Sequence, residues 1–135
     1  MMLKTYYGSC HCGEVTFEAQ IDLSEGSGKC DCSICVKRRA WGILIKPEAF
    51  RLLRGADKLS DYQFGTKSGH HRFCSNCGCA PFGDGHVEAI GGAYVSIALN
   101  CLDEVSPEEL AAVPVRHADG RNNNWWNAPK VTAYL

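Results

Sequence analysis

Nine cysteines stand in a chain of 135 residues, and seven of them fall into three tight clusters: Cys10-His11-Cys12-Gly13, Cys30-Asp31-Cys32-Ser33-Ile34-Cys35 and Cys74-Ser75-Asn76-Cys77-Gly78. A thiolate is at once a nucleophile, a redox centre and a soft metal ligand, so clusters of this spacing point to metal or thiol chemistry. In a C-x-x-C-G knuckle the chain folds back so that backbone N–H groups face the sulfurs, and the glycine takes the positive φ that the reversal requires. Cys74 to Gly78 fits this pattern, and Cys10 to Gly13 is a shortened version with its own glycine. Two ligands from each complete a tetrahedral four-thiolate shell. Such a shell has no room for a substrate, so Cys10, Cys12, Cys74 and Cys77 are expected to be structural.

The middle cluster has three cysteines and no glycine behind it, since Cys35 leads into Val36. Three protein ligands and one free position are what a catalytic zinc uses, which makes Cys30, Cys32 and Cys35 the candidates for the working site. A metal in such a sulfur-rich set favours an incoming thiolate over a hard oxygen ligand. Two other readings compete for these seven residues. Iron–sulfur ligation is one, although no complete four-cysteine iron–sulfur run is present. A disulfide framework is the other, and an odd cysteine count in a reducing compartment weighs against it.

The remaining candidates have plainer explanations. Cys79 lies two residues past Cys77 and reads as a small free or buried thiol within reach of a metal, while Cys101 follows an apolar strand and reads as core. His11 should point away from Cys10 and Cys12 if that segment is extended, and His70 and His71 should face opposite sides of a strand. Lys37-Arg38-Arg39 follows the three-cysteine cluster directly. Three cations usually form a solvated face, but here they would also attract an acidic thiol.

These side chains must be positioned mostly by short strands. From Gly13 to Gln20, Val15, Phe17 and Ala19 alternate with Glu14, Thr16, Glu18 and Gln20, the period of a half-buried strand. Residues 41–46, 58–64 and 93–99 read as further strands, and glycines recurring about every ten residues suit many short antiparallel strands. One short helix is expected from Ser106 to Val113, with Ser106 as cap, Pro107 at the first position, Glu109 completing a capping box and Pro114 as the stop. Residues 116–135, with Trp125-Trp126, read as a long loop whose rings close the core.

Length and composition fit a single domain over residues 1–135, with 45% apolar and 21% charged residues and a net charge of -1. That balance argues against nucleic-acid and membrane partners, and no apolar run approaches the roughly 20 residues a membrane span needs. With no signal segment at the start, a cytoplasmic location is expected. The sequence carries no signal of oligomeric state.

The ordered set Gly8-Ser9-Cys10-His11-Cys12-Gly13, C-x-C-x-x-C at Cys30 to Cys35, and Arg72-Phe73-Cys74-Ser75-Asn76-Cys77-Gly78 resembles the glutathione-dependent formaldehyde-activating enzyme (GFA) family, from about Thr5 to Trp125-Trp126. The resemblance implies a mainly β, two-sheet zinc fold, related to that of Rab exchange-factor zinc proteins. It implies a structural zinc on Cys10, Cys12, Cys74 and Cys77 and a labile catalytic zinc on Cys30, Cys32 and Cys35. The implied activity is that of a carbon–sulfur lyase that joins glutathione, or a similar thiol, to formaldehyde as an S-hydroxymethyl adduct. Cys79 departs from the family, where a small hydroxyl residue is expected. The alternative is a non-enzymatic zinc-binding, thiol-binding or redox-sensing module, which predicts a fourth protein ligand at the second site, Cys79 being the candidate.

Overall fold

The computed structural model describes residues 2–135. Strands β1 (Lys4–Ser9), β2 (Thr16–Ile21) and β5 (Phe50–Arg54) form a three-stranded antiparallel sheet in the order β1-β2-β5. The larger sheet contains β3 (Ser27–Cys30), β4 (Gly42–Ile45), β6 (Leu59–Tyr62), β7 (Gly69–Cys74), β8 (Phe82–Val87), β9 (Gly92–Ala98) and β10 (Val115–Ala118). Its order is β10-β3-β4-β9-β8-β7-β6, antiparallel except that β10 runs parallel to β3. The fold is mainly β, as the turn spacing predicts, with this parallel pair as an addition to the antiparallel expectation.

The alternation in β2 holds: Val15, Phe17 and Ala19 are fully buried, while Glu14 and Gln20 are exposed. The strand begins at Thr16 rather than Gly13, because the preceding residues close the first knuckle through Cys10 N–H to Val15 O and Gly13 N–H to Cys10 O. Val95, Ile97 and Leu99 likewise bury one face of β9 and the turn after it. The sheets meet on three rings, with Phe17 and Phe50 from the small sheet and Phe82 from the large one, at centroid distances of 5.6, 6.1 and 4.7 Å. Burying each ring contributes on the order of 1.5–3 kcal/mol.

Among the described residues two α-helices form where one was expected. Helix α2 (Pro107–Ala111) has Ser106 as its cap, the hydroxyl accepting from Glu109 N–H at 3.1 Å. The capping box is only half formed, because the Glu109 carboxylate accepts from the Tyr6 hydroxyl at 3.0 Å instead. Helix α1 (Ser33–Arg38) rises between β3 and β4 and ends at Arg39 in the left-handed conformation. No described helix is long and apolar enough to cross a membrane.

Candidate functional site

The two knuckles converge from different sheets. Cys10 and Cys12 sit in the turn that follows β1, and Cys74 ends β7 with Cys77 just beyond it. Gly13 and Gly78 both take φ of 81°, and a side chain at either would meet nothing within 4 Å, so glycine is there for the backbone and not for space. The four sulfurs lie within 4.8 Å of one another. Cys10–Cys12 and Cys12–Cys74 are each separated by 3.7 Å. A tetrahedral ion with metal–sulfur bonds of about 2.3 Å needs an edge of about 3.8 Å, so this donor set fits a single soft divalent ion. Backbone donors support it, since Val15 N–H reaches Cys10 Sγ at 3.3 Å. The N–H groups of Cys12 and Cys79 draw the Cys77 thiol down to about 6. Cys12 is drawn down chiefly by the Asn76 side chain. The Cys77 N–H also draws on Cys74, but burial and the neighbouring thiols win and push it up to about 11.

The second set forms where β3 runs into α1. Cys30 ends the strand, Cys32 is the residue before the helix and Cys35 is in its first turn; their sulfurs also lie within 4.8 Å of one another. Hydrogen bonds from Cys30 and Cys35, then the N–H groups of Cys35 and Ile34 at the start of α1, hold Cys32 well below the ordinary thiol range at about 2. Cys30, bonded to that sulfur, rises to about 11, and Cys35 is raised by both partners. All three are half-buried, and no fourth described residue joins their group.

Cys79 is not with this triad. Its carbonyl accepts from Cys74 N–H at 2.8 Å, beside the four-cysteine set. Cys101 is half-buried in a turn, its thiol pushed up to about 11 by burial. His11 is exposed, as expected. On β7 the two histidines part: His70 Nδ1 lies 2.6 Å from Asp61, while the His71 ring stacks on Phe64 at 5.4 Å. Burial, then the Arg38 charge, lowers the His71 pKa, while Cys32 pulls the other way. The His71 Nε2 and the Tyr94 hydroxyl both approach Gly69, each 3.7 Å from where a β-carbon would stand. Burial and the nearby Asp84 and Cys35 raise the Tyr94 pKa.

The tail departs from expectation. Trp125 and Trp126 are 50% and 78% exposed, so they do not close the core. β10 pairs in parallel register with β3, Ala118 beside Cys30, and this delivers residues 119–127 to the three-cysteine end of the sheet. Asp31, only 4% exposed, ties them down: its carboxylate accepts from Arg121 N–H at 3.0 Å and its own N–H donates to Ala118 O at 3.3 Å. At Gly120 a β-carbon would stand 2.6 Å from the Trp125 ring and 2.9 Å from the Cys32 β-carbon, so the ring and the cysteine flank one point. Asp31, His71, Tyr94, Arg121 and Trp125 carry no local signal for this site; only the position of Asp31 between two cysteines hints at it.

A curated protein of Halomonas elongata named "Putative glutathione-dependent formaldehyde-activating enzyme" is 37% identical over 81 residues, which cover 54% of this chain and 52% of that protein. The chain thus spans about half the length of that relative. A crystal structure of a Rhodobacter sphaeroides protein superposes with a TM-score of 0.69 at 32% identity, covering 82% of this chain and 99% of the other. A family profile described as "Glutathione-dependent formaldehyde-activating enzyme" matches residues 5–118, a span that contains both cysteine sets. The chain therefore belongs to the glutathione-dependent formaldehyde-activating enzyme family.

Proposed function

We propose that the chain is one catalytic domain, a zinc-dependent carbon–sulfur lyase or synthase that joins glutathione, or a similar thiol, to formaldehyde as an S-hydroxymethyl adduct. The observation that carries this reading is the unequal donor count: four converging sulfurs in one set, three in the other, and no fourth cysteine, histidine or carboxylate beside the three among the described residues. Zinc bound by Cys30, Cys32 and Cys35 with a free fourth position would supply a positive centre that keeps an arriving thiol ionised near neutral pH.

The reaction itself asks little of the chain. The thiol sulfur attacks the carbonyl carbon, a carbon–sulfur bond forms, the carbonyl π pair moves to oxygen, and the proton lost by sulfur ends on that oxygen. Cys32 and Cys35 are held by the start of α1, so the donors are fixed before substrate arrives. His71, whose pKa is lowered first by burial and then by Arg38, is the group we assign to take up the thiol proton. Tyr94, whose phenol is held protonated, is assigned to donate to the developing oxyanion. Lys37 and Arg38, beside the triad on α1, raise the local potential and would draw in anionic substrates. We place the chain in the cytoplasm, where a reducing environment keeps such sulfurs free for metal.

The non-enzymatic module predicts a fourth protein ligand at the second site. Cys79, the candidate for it, lies with the other set, so the geometry favours the enzyme. In exchange spectroscopy of formaldehyde with glutathione, Cys32→Ser is expected to bring the rate down to the uncatalysed value while the circular dichroism stays native. Zinc-loaded wild-type protein that leaves the exchange at the uncatalysed rate contradicts the substrate assignment.

A further inference from the structure

Formaldehyde leaves one feature beside the triad unused. An open groove of about 530 Å³ separates α1 from the β6–β7 edge of the large sheet, a size that suits a small organic ligand and far exceeds a one-carbon aldehyde. One wall is a stack of rings. Tyr62 and Phe64 lie 5.7 Å apart at 25°, and Phe64 and His71 lie 5.4 Å apart at 20°. Tyr62 and Phe64 are nonetheless 53% and 42% exposed, so an ordered π surface faces solvent. A ligand ring laid on such a surface loses little freedom in the protein, since the platform is already set.

The opposite wall is α1, through Ile34, Lys37 and Arg38. Among the described residues neither cation makes an ion pair, and no carboxylate lines the groove. Asp61, next to Tyr62 on β6, is taken up by His70 at 2.6 Å. The groove therefore offers a flat apolar face and uncompensated positive charge. His71 connects the groove to the triad: its ring ends the stack, and it lies within the fields of both Arg38 and Cys32.

We propose that this groove is the subsite for the side group of the carbonyl substrate, and that the chain accepts aldehydes bearing an aromatic ring with an anionic substituent. The inference rests on the thiol-addition reading above and narrows its second substrate. The bond changes are those already given: sulfur adds to the carbonyl carbon, the proton moves to oxygen, and nothing is oxidised or reduced. The aromatic ring lies on Tyr62 and Phe64, the anion meets Lys37 or Arg38, and the carbonyl carbon points past His71 to the thiol.

Two probes separate the groove from the reaction. Terephthalate has the ring and the charge but no aldehyde, and it is expected to bind the full zinc-loaded chain in calorimetric titration, with affinity reduced about three- to tenfold by Tyr62→Ala. For turnover with glutathione, the kcat/KM ratio of 4-carboxybenzaldehyde to formaldehyde is expected to fall by about the same factor in Tyr62→Ala. Damage to the fold lowers both aldehydes together and leaves the ratio unchanged, which would overturn the assignment. Terephthalate that does not bind, or that binds Tyr62→Ala equally well, also overturns it. Terephthalate binding that depends on Tyr62, with neither aldehyde turned over, upholds the groove as a site for aromatic anions and overturns its role in catalysis together with the thiol-addition reading.

Discussion

At the scale of single residues, the nine thiols behave according to what surrounds them. Cys32 is drawn down because two thiols and then two helix-start N–H groups hydrogen-bond it, whereas Cys101 is raised to about 11, first by burial. The seven ligand candidates and the two knuckle glycines are legible in the sequence because C-x-C and C-x-x-C-G are local geometries. His71, Tyr94 and Trp125 are not, since strand pairing brings them to the site from distant parts of the chain; Asp31 lies between two of the cysteines, but its tie to Arg121 depends on the same pairing. Away from the cysteine sets, Asp22 makes a titration testable. Its buried carboxylate accepts from the Ser24 hydroxyl at 2.6 Å, the Ser24 N–H at 3.0 Å and the Met2 N–H at 3.0 Å. The Ser24 side chain first, then the Met2 N–H, lowers its pKa from 3.8. A lowered folded pKa means stability that is fully present above 3.8 and lost as pH falls through the lower folded value. Thermal melts in acid should show a shallower loss with falling pH for Asp22→Asn than for the wild type; parallel curves would remove Asp22 from the acid response.

At the scale of elements, strands with clean alternation could be read directly. β2 and β9 bury the residues their patterns select, and α2 starts at the capped serine. Helix α1 could not be read in this way. It has only six residues, includes β-branched Ile34 and Val36, and has a cysteine rather than a hydrogen-bonding cap before it. It exists because β3 must turn toward β4 while bringing three sulfurs together. Residues 119–127 were harder still, since their place beside α1 comes from a parallel pairing about 90 residues apart in sequence, far outside any local pattern. Gly120 is the contact where that arrangement is tightest. Gly120→Ala should therefore cost on the order of 1–3 kcal/mol in chemical denaturation, as overpacking does, and alter the tryptophan emission as Trp125 is displaced. An unchanged denaturation midpoint with unchanged emission would show that the ring is not held against Gly120.

At the scale of the whole molecule, the two sulfur sets serve different parts of the architecture. The four-cysteine set joins the turn of the small sheet to the end of β7 in the large one, beside the Phe17–Phe50–Phe82 contact. In the proposed reading its zinc is a cross-link between the two sheets, and part of the folding free energy resides in it. The three-cysteine set lies in the β3–α1 connection and holds no two sheets together. In the proposed reading it binds and releases a ligand without loosening the core. The family and the mainly β class follow from short motifs and strand patterns, while the groove and the tail come from topology that no local pattern encodes. The unequal sulfur count is the central claim, and zinc K-edge absorption on the two-zinc protein tests it most directly. The account predicts an average of fewer than four sulfurs per zinc without thiol, rising to four when glutathione is added. Four sulfurs per zinc from the outset, unchanged by glutathione, would contradict it.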